Sequence, residues 1–160
     1  MHLQLTSPLD MHLHIREGAM LDLVAPLSAR DFAGAVVMPN LVPPVDSLER
    51  LAAYTEAVRQ ATQGTPFTPY MTLFFREYDQ ATLEAARPHI IGVKLYPDGV
   101  TTNSAGGVRD LLAIAPTLEL MEHVGIPLLI HGESHGFVLD REAEFLPVYD
   151  RLAQQFPRLK

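Results

Sequence analysis

The sequence has 160 residues, 48% hydrophobic and 19% charged, with a mean hydropathy of +0.09. These proportions exclude a disordered or fibrous chain and predict one domain over residues 1–160, with a substantial core and no internal boundary. Twelve basic against nineteen acidic residues give a net charge of −7, which supplies no field for nucleic acid or an anionic membrane surface. The absence of cysteine excludes disulfides, thiolate metal sites and a cysteine nucleophile, so any metal must use His and oxygen ligands; a cytoplasmic protein is expected. No apolar run approaches the roughly 18 residues of a transmembrane span, and no signal peptide is legible.

In chain order, Leu9–Ile15 reads as a strand and Met20–Ala29 as a short helix. Ala33–Met38 is a continuous apolar run, the pattern of a strand buried on both faces of a parallel sheet. Ser47–Ala61 follows as a helix with a capping-box-like start from Asp46 and Glu49. Pro69–Phe75 is a third strand, Gln80–Ala86 a helix capped by Asp79, and Ile90–Leu95 a fourth strand. A loop rich in Gly, Thr and Asn, Tyr96–Gly107, leads to a helix over Pro116–His123 that Gly125 terminates. Pro127–His131 is a fifth strand, and the last helix, Arg141–Phe156, starts at Asp140 and is bent by Pro147. Five alternating strand–helix units predict a parallel α/β sheet, either doubly wound or part of a barrel. A (β/α)8 barrel takes about 250 residues, so a barrel would be incomplete here, with a sixth strand due near Lys160.

Chemistry gathers at the strand ends. His12 and His14, two apart on the first strand, point to one face and can share a metal ion; the competing reading is a pair of partly exposed histidines on an edge strand. Lys94 interrupts the apolar run IIGVKL. A buried lysine is costly and loses its proton readily, and the neutral amine could add carbon dioxide to give a carbamate ligand; the alternative is a head group that snorkels to solvent. His131 ends the fifth strand, where α/β folds place active-site groups. Arg16, on the same side as His14 if the strand persists, could clamp a carboxylate, and Asn40 ends the second strand with a donor and an acceptor. Thr101, Thr102, Asn103 and Ser104, flanked by glycines, could form a closing lid. His2, His89, His123 and His135 show no such arrangement, and Glu133 reads as a hydrogen-bonding residue of its loop.

The segments MHLHIREGAM, VVMPNLVPPV, GVKLYPDGVTTNSAGGV and MEHVGIPLLIHGE together resemble the dihydroorotases of the shorter bacterial type, within the amidohydrolase superfamily. The resemblance implies a TIM barrel, here about its first five β/α units, that holds two zinc ions. It implies the interconversion of N-carbamoyl-L-aspartate and L-dihydroorotate in pyrimidine biosynthesis by a cytoplasmic homodimer. His12 and His14 would ligate the more buried metal, Lys94 as N6-carboxylysine would bridge both, and His131 would ligate the second. Arg16 and Asn40 would hold the substrate carboxylate, and Thr101 and Thr102 would belong to a mobile loop over the substrate. The family's catalytic aspartate and a further histidine ligand fall beyond the fifth strand. The resemblance therefore places no catalytic residue in this chain, which reads as an N-terminal fragment of weak or no activity. Met11 and Glu17 depart from the family's usual aromatic residue and aspartate. Another cyclic-amide hydrolase, of hydantoinase or allantoinase type, would share His12, His14, Lys94 and His131; a non-catalytic half-barrel binding module would share only the fold. Arg16, Asn40 and Thr101–Asn103 favour an acidic ureido substrate.

Overall fold

A computed structural model describes residues 2, 4–104, 106–110 and 113–160. Five strands, β1 (Leu9–Leu13), β2 (Gly34–Val37), β3 (Thr68–Phe74), β4 (Gly92–Leu95) and β5 (Leu128–Ile130), form one sheet in the order of the sequence. Every pairing is parallel. The helices α1 (Gly18–Asp31), α2 (Leu48–Ala61), α3 (Gln80–Ala86), α4 (Ala115–Val124) and α5 (Arg141–Gln155) each follow their strand. The result is a curled half-barrel, which settles the choice against a doubly wound sheet. Sequential strand order with a helix after each strand is barrel topology, whereas a doubly wound sheet reverses its order at a switch point.

Strand alternation sorts the side chains. Leu13, Ile15, Val37, Met71, Leu73, Phe75, Val93 and Leu95 belong to a core shared with Leu21 and Ala25 of α1, Leu51, Tyr54 and Val58 of α2, Leu83 of α3, and Leu118 and Met121 of α4. The intervening positions, His12, His14, Thr72, Phe74, Lys94, Tyr96 and His131, therefore lie on the other face of the sheet. Apolar burial on the helical side fixes the register, and a one-residue slip would send the polar set into that core.

Several boundaries differ from expectation for identifiable reasons. The first strand stops at Leu13 because its pairing with β2 is irregular between Asp10 and Leu13, and Arg16 adopts a left-handed φ of 59°. Helix α2 is capped by Ser47, whose Oγ accepts from the Arg50 backbone N–H at 3.2 Å. Asp46, expected in that role, instead pairs with Arg76 Nε at 3.0 Å. Asp79 does cap α3, accepting from the Thr82 N–H at 2.8 Å. A short 3-10 turn, Arg87–His89, delays β4 to Gly92. Gly125 ends α4 at φ 79°, donating to the Met121 carbonyl at 2.8 Å. Pro147 lies inside α5. Ala105 of the predicted Tyr96–Gly107 loop lies outside the described residues. After α5 the chain returns to the sheet, where the Leu128 N–H donates to the Lys160 carbonyl at 2.7 Å. Among the described residues no helix is long and apolar enough to cross a membrane.

Candidate active site

His12 lies within β1 and His14 just after it. Their rings sit 5.1 Å apart, centroid to centroid, tilted by 46°. Both are open to solvent on one side, as the end strand of the sheet requires, and Asp10 Oδ1 accepts from the His12 backbone N–H at 2.9 Å. Partial burial holds both imidazoles below the usual histidine range. The charges of Lys94 and His131 push His12 further down, and those of His12 and Arg16 push His14 down. Neutral imidazoles at neutral pH are what metal ligation needs.

Lys94 is 4% exposed, so its head group does not snorkel out to bulk solvent, and β4 is buried along its whole length. Burial lowers its pKa to about 8. Its Nζ stands 5.2 Å from the centre of the Tyr96 ring. That ring also stacks on Phe74 at 5.3 Å and lies 5.9 Å from the His131 ring. Tyr96 was not among the expected site residues, although its place two residues after Lys94 puts it on the same face by strand period alone. Its hydroxyl is buried without a hydrogen-bond partner among the described residues.

His131 follows β5, its backbone N–H donating to the Leu95 carbonyl at 2.9 Å. Burial lowers its pKa and the Lys94 charge acts in the same sense, against an upward pull from Glu133. His12, Lys94 and His131 line one cavity of about 360 Å³ with Glu133, Glu142 and Tyr149. A larger cavity of about 660 Å³ opens between α2 and α3, away from these groups. Three strand ends thus bring the predicted histidines and lysine together.

The remaining predicted residues form an adjoining cluster. Arg16 does not continue β1; its left-handed backbone turns the side chain so that Nη1 donates to the Asn40 carbonyl at 3.3 Å. Asn40 is 2% exposed. Its Nδ2 donates to the Thr102 carbonyl at 2.9 Å, and Asn103 Nδ2 donates back to the Asn40 carbonyl at 3.1 Å. The loop is held through the backbone of Thr102 and the side chain of Asn103, while Ser104 Oγ ties Thr101 from both sides. On its far side Arg76 Nη1 donates to the Gly106 carbonyl at 2.8 Å. The segment expected as a mobile lid is docked against the end of β2.

Among the described residues no three His, Cys, Asp or Glu side chains form a metal-binding group by themselves. The charge of Lys94 acts on all three histidines, so Lys94 is the group that joins them. An ammonium cannot ligate, but a carbamate on the same nitrogen offers two oxygens. Of the four buried side-chain polar atoms that lack a hydrogen bond among the described residues, Asn40 Oδ1, Tyr96 Oη and His131 Nε2 belong to these two clusters, and His131 Nε2 has Glu133 Oε1 3.2 Å away. Buried polar atoms are nearly always satisfied, so the Asn40 and Tyr96 oxygens fit a site that a ligand completes.

No protein-family profile matches the chain. Individual relatives do. Dihydroorotase from Helicobacter hepaticus is 44% identical over 164 residues, covering 99% of this chain and 47% of the relative. Dihydroorotase from Cupriavidus metallidurans is also 44% identical, covering 99% and 48%. A crystal structure of dihydroorotase from Campylobacter jejuni matches with a TM-score of 0.92 and 53% identity over 99% of this chain and 49% of that one. An L-hydantoinase from Arthrobacter aurescens, at 14% identity and a TM-score of 0.71, shares the fold. The chain spans about half the length of the relatives it matches. Over that span the chain is similar to dihydroorotases both in sequence and in fold.

Proposed function

We propose that the protein is a zinc-dependent cyclic amidohydrolase that interconverts N-carbamoyl-L-aspartate and L-dihydroorotate, a step of pyrimidine biosynthesis. The observation that carries this reading is the convergence of His12, Lys94 and His131 on one cavity, with His14 beside His12 and the Arg16–Asn40 cluster adjoining. His12, His14, His131 and a carboxylated Lys94 would hold two zinc ions. Bound there, zinc supplies Lewis acidity toward an amide carbonyl and lowers the pKa of water.

The chain's own residues prepare that chemistry. With its pKa lowered to about 8, Lys94 carries an uncharged fraction near neutral pH whose lone pair can bond to the carbon of carbon dioxide, the proton leaving the nitrogen for solvent. Arg16 offers a guanidinium to the substrate carboxylate, and Asn40 Oδ1 and Nδ2 offer an acceptor and a donor beside it. Thr101 and Thr102 would contact the substrate from the loop that Asn40 holds. We further propose a cytoplasmic homodimer for the whole protein and weak or no activity for the 160 residues alone.

The test is a turnover assay on L-dihydroorotate, with and without added zinc, in the protein that carries this chain together with whatever sequence accompanies it in the cell. Zinc-dependent hydrolysis is expected, together with a loss of at least 100-fold in kcat/KM on Arg16→Met. Turnover of unsubstituted hydantoin at an equal rate, unaffected by Arg16→Met, would establish the hydantoinase reading instead.

A further inference from the structure

Glu133 was expected to serve only its own loop, yet the structure sets it between two functional side chains. Its Oε1 lies 3.2 Å from His131 Nε2, and its Oε2 lies 3.7 Å from Arg141 Nη1 at the start of α5. That contact falls short of a well-formed hydrogen bond, and among the described residues Nε2 is buried with no other partner. Among the described residues Glu133 is the carboxylate that pairs with that nitrogen. Its own backbone N–H donates to the His131 carbonyl at 3.0 Å, so the tight turn at Gly132 holds the carboxylate against the ring.

An imidazole has two nitrogens, and in the neutral ring one carries the proton while the other keeps its lone pair. We propose that Glu133 is a positioning residue for His131: it accepts the Nε2 proton and thereby leaves the Nδ1 lone pair as the ligand. Arg141, at the longer distance, steadies the carboxylate without deciding the tautomer. Metal-ligating histidines commonly donate their second nitrogen to a carboxylate, and loss of such a partner costs 10- to 100-fold in metal affinity. The inference rests on the zinc reading for its consequence but not for its first readout.

That readout is the 15N chemical shift pair of His131 in the metal-free protein at pH 8. The proton is expected on Nε2 in the parent and in Glu133→Gln, whose amide oxygen can still accept, and both tautomers are expected in Glu133→Ala and Glu133→Met. The second readout is zinc affinity by chelator competition. Glu133→Ala and Glu133→Met are expected to lose 10- to 100-fold, while Glu133→Gln and Arg141→Met stay within a few-fold of the parent. A proton on Nδ1 in the metal-free parent overturns the proposal. So does equal loss of affinity in Glu133→Gln and Glu133→Ala, or a loss in Arg141→Met as large as in Glu133→Ala, because either would assign Glu133 to the loop and not to the ring. If the parent binds no zinc, the zinc reading fails while the tautomer measurement still decides the role of Glu133.

Discussion

Lys94 sets a conflict between stability and chemistry. Its pKa of about 8 in the folded chain, against 10.5 when exposed, reflects the cost of burying an ammonium. Below pH 8 both folded and unfolded chains carry the proton and the folded state bears the whole cost. Between pH 8 and 10.5 the unfolded chain holds one more proton than the folded one, so stability rises with pH, and above 10.5 the cost is gone. The 2.5-unit gap corresponds to a penalty on the order of 3 kcal/mol. Metal-free Lys94→Met, studied with carbon dioxide excluded, is therefore expected to be more stable than the parent at pH 7 by up to about 3 kcal/mol. That advantage should shrink toward pH 10 and be accompanied by loss of zinc binding. Urea unfolding at the two pH values measures it, and a less stable Lys94→Met at pH 7 would contradict the assigned cost.

Helix caps show how far local sequence carries. Ser47→Ala removes the acceptor for the Arg50 N–H and is expected to destabilise by about 1 kcal/mol, read as a lower urea midpoint at unchanged slope. The cap was legible as a helix start, but the neighbouring Asp46 was the wrong choice of cap because Arg76, thirty residues on, competes for it. The same division runs through the site. His12 with His14, Lys94 and His131 were readable because two-residue strand period and strand-end position are local properties. Arg16 was read on the wrong geometry, since nothing in EGAM announces that the backbone turns left-handed before it. Tyr96 was on the legible face but was left out because its ring partners depend on which strands become neighbours, and Glu133 because no local pattern announces the turn that brings its carboxylate to the His131 ring. Pairing of β3, β4 and β5 brings the Phe74, Tyr96 and His131 rings together, and no window of sequence contains that cluster.

Seen whole, the sheet has two ends. Among the described residues β1 pairs with β2 alone, and Leu9 and Met11 are 46% and 66% exposed on it. At the other end Phe137, Val138, Leu139 and Leu146 are exposed around β5 and α5, and the Lys160 carbonyl occupies one β5 donor. An unpaired parallel edge beside apolar side chains is a template for association. The 160 residues studied alone are expected to self-associate with rising concentration in sedimentation velocity, and Met11→Lys should weaken that association. A concentration-independent monomer would show that the ends are protected.

The proximity of Tyr96 to His131 also gives the protein an optical property. The sequence has no tryptophan and five tyrosines, so its intrinsic near-ultraviolet emission is tyrosine emission, and one of those few emitters lies 5.9 Å from a proposed metal ligand. Arrival of a paramagnetic ion such as Co²⁺ at His131 would quench that emitter selectively. The site thus carries its own reporter, and metal loading can be followed in the unlabelled protein without a substrate.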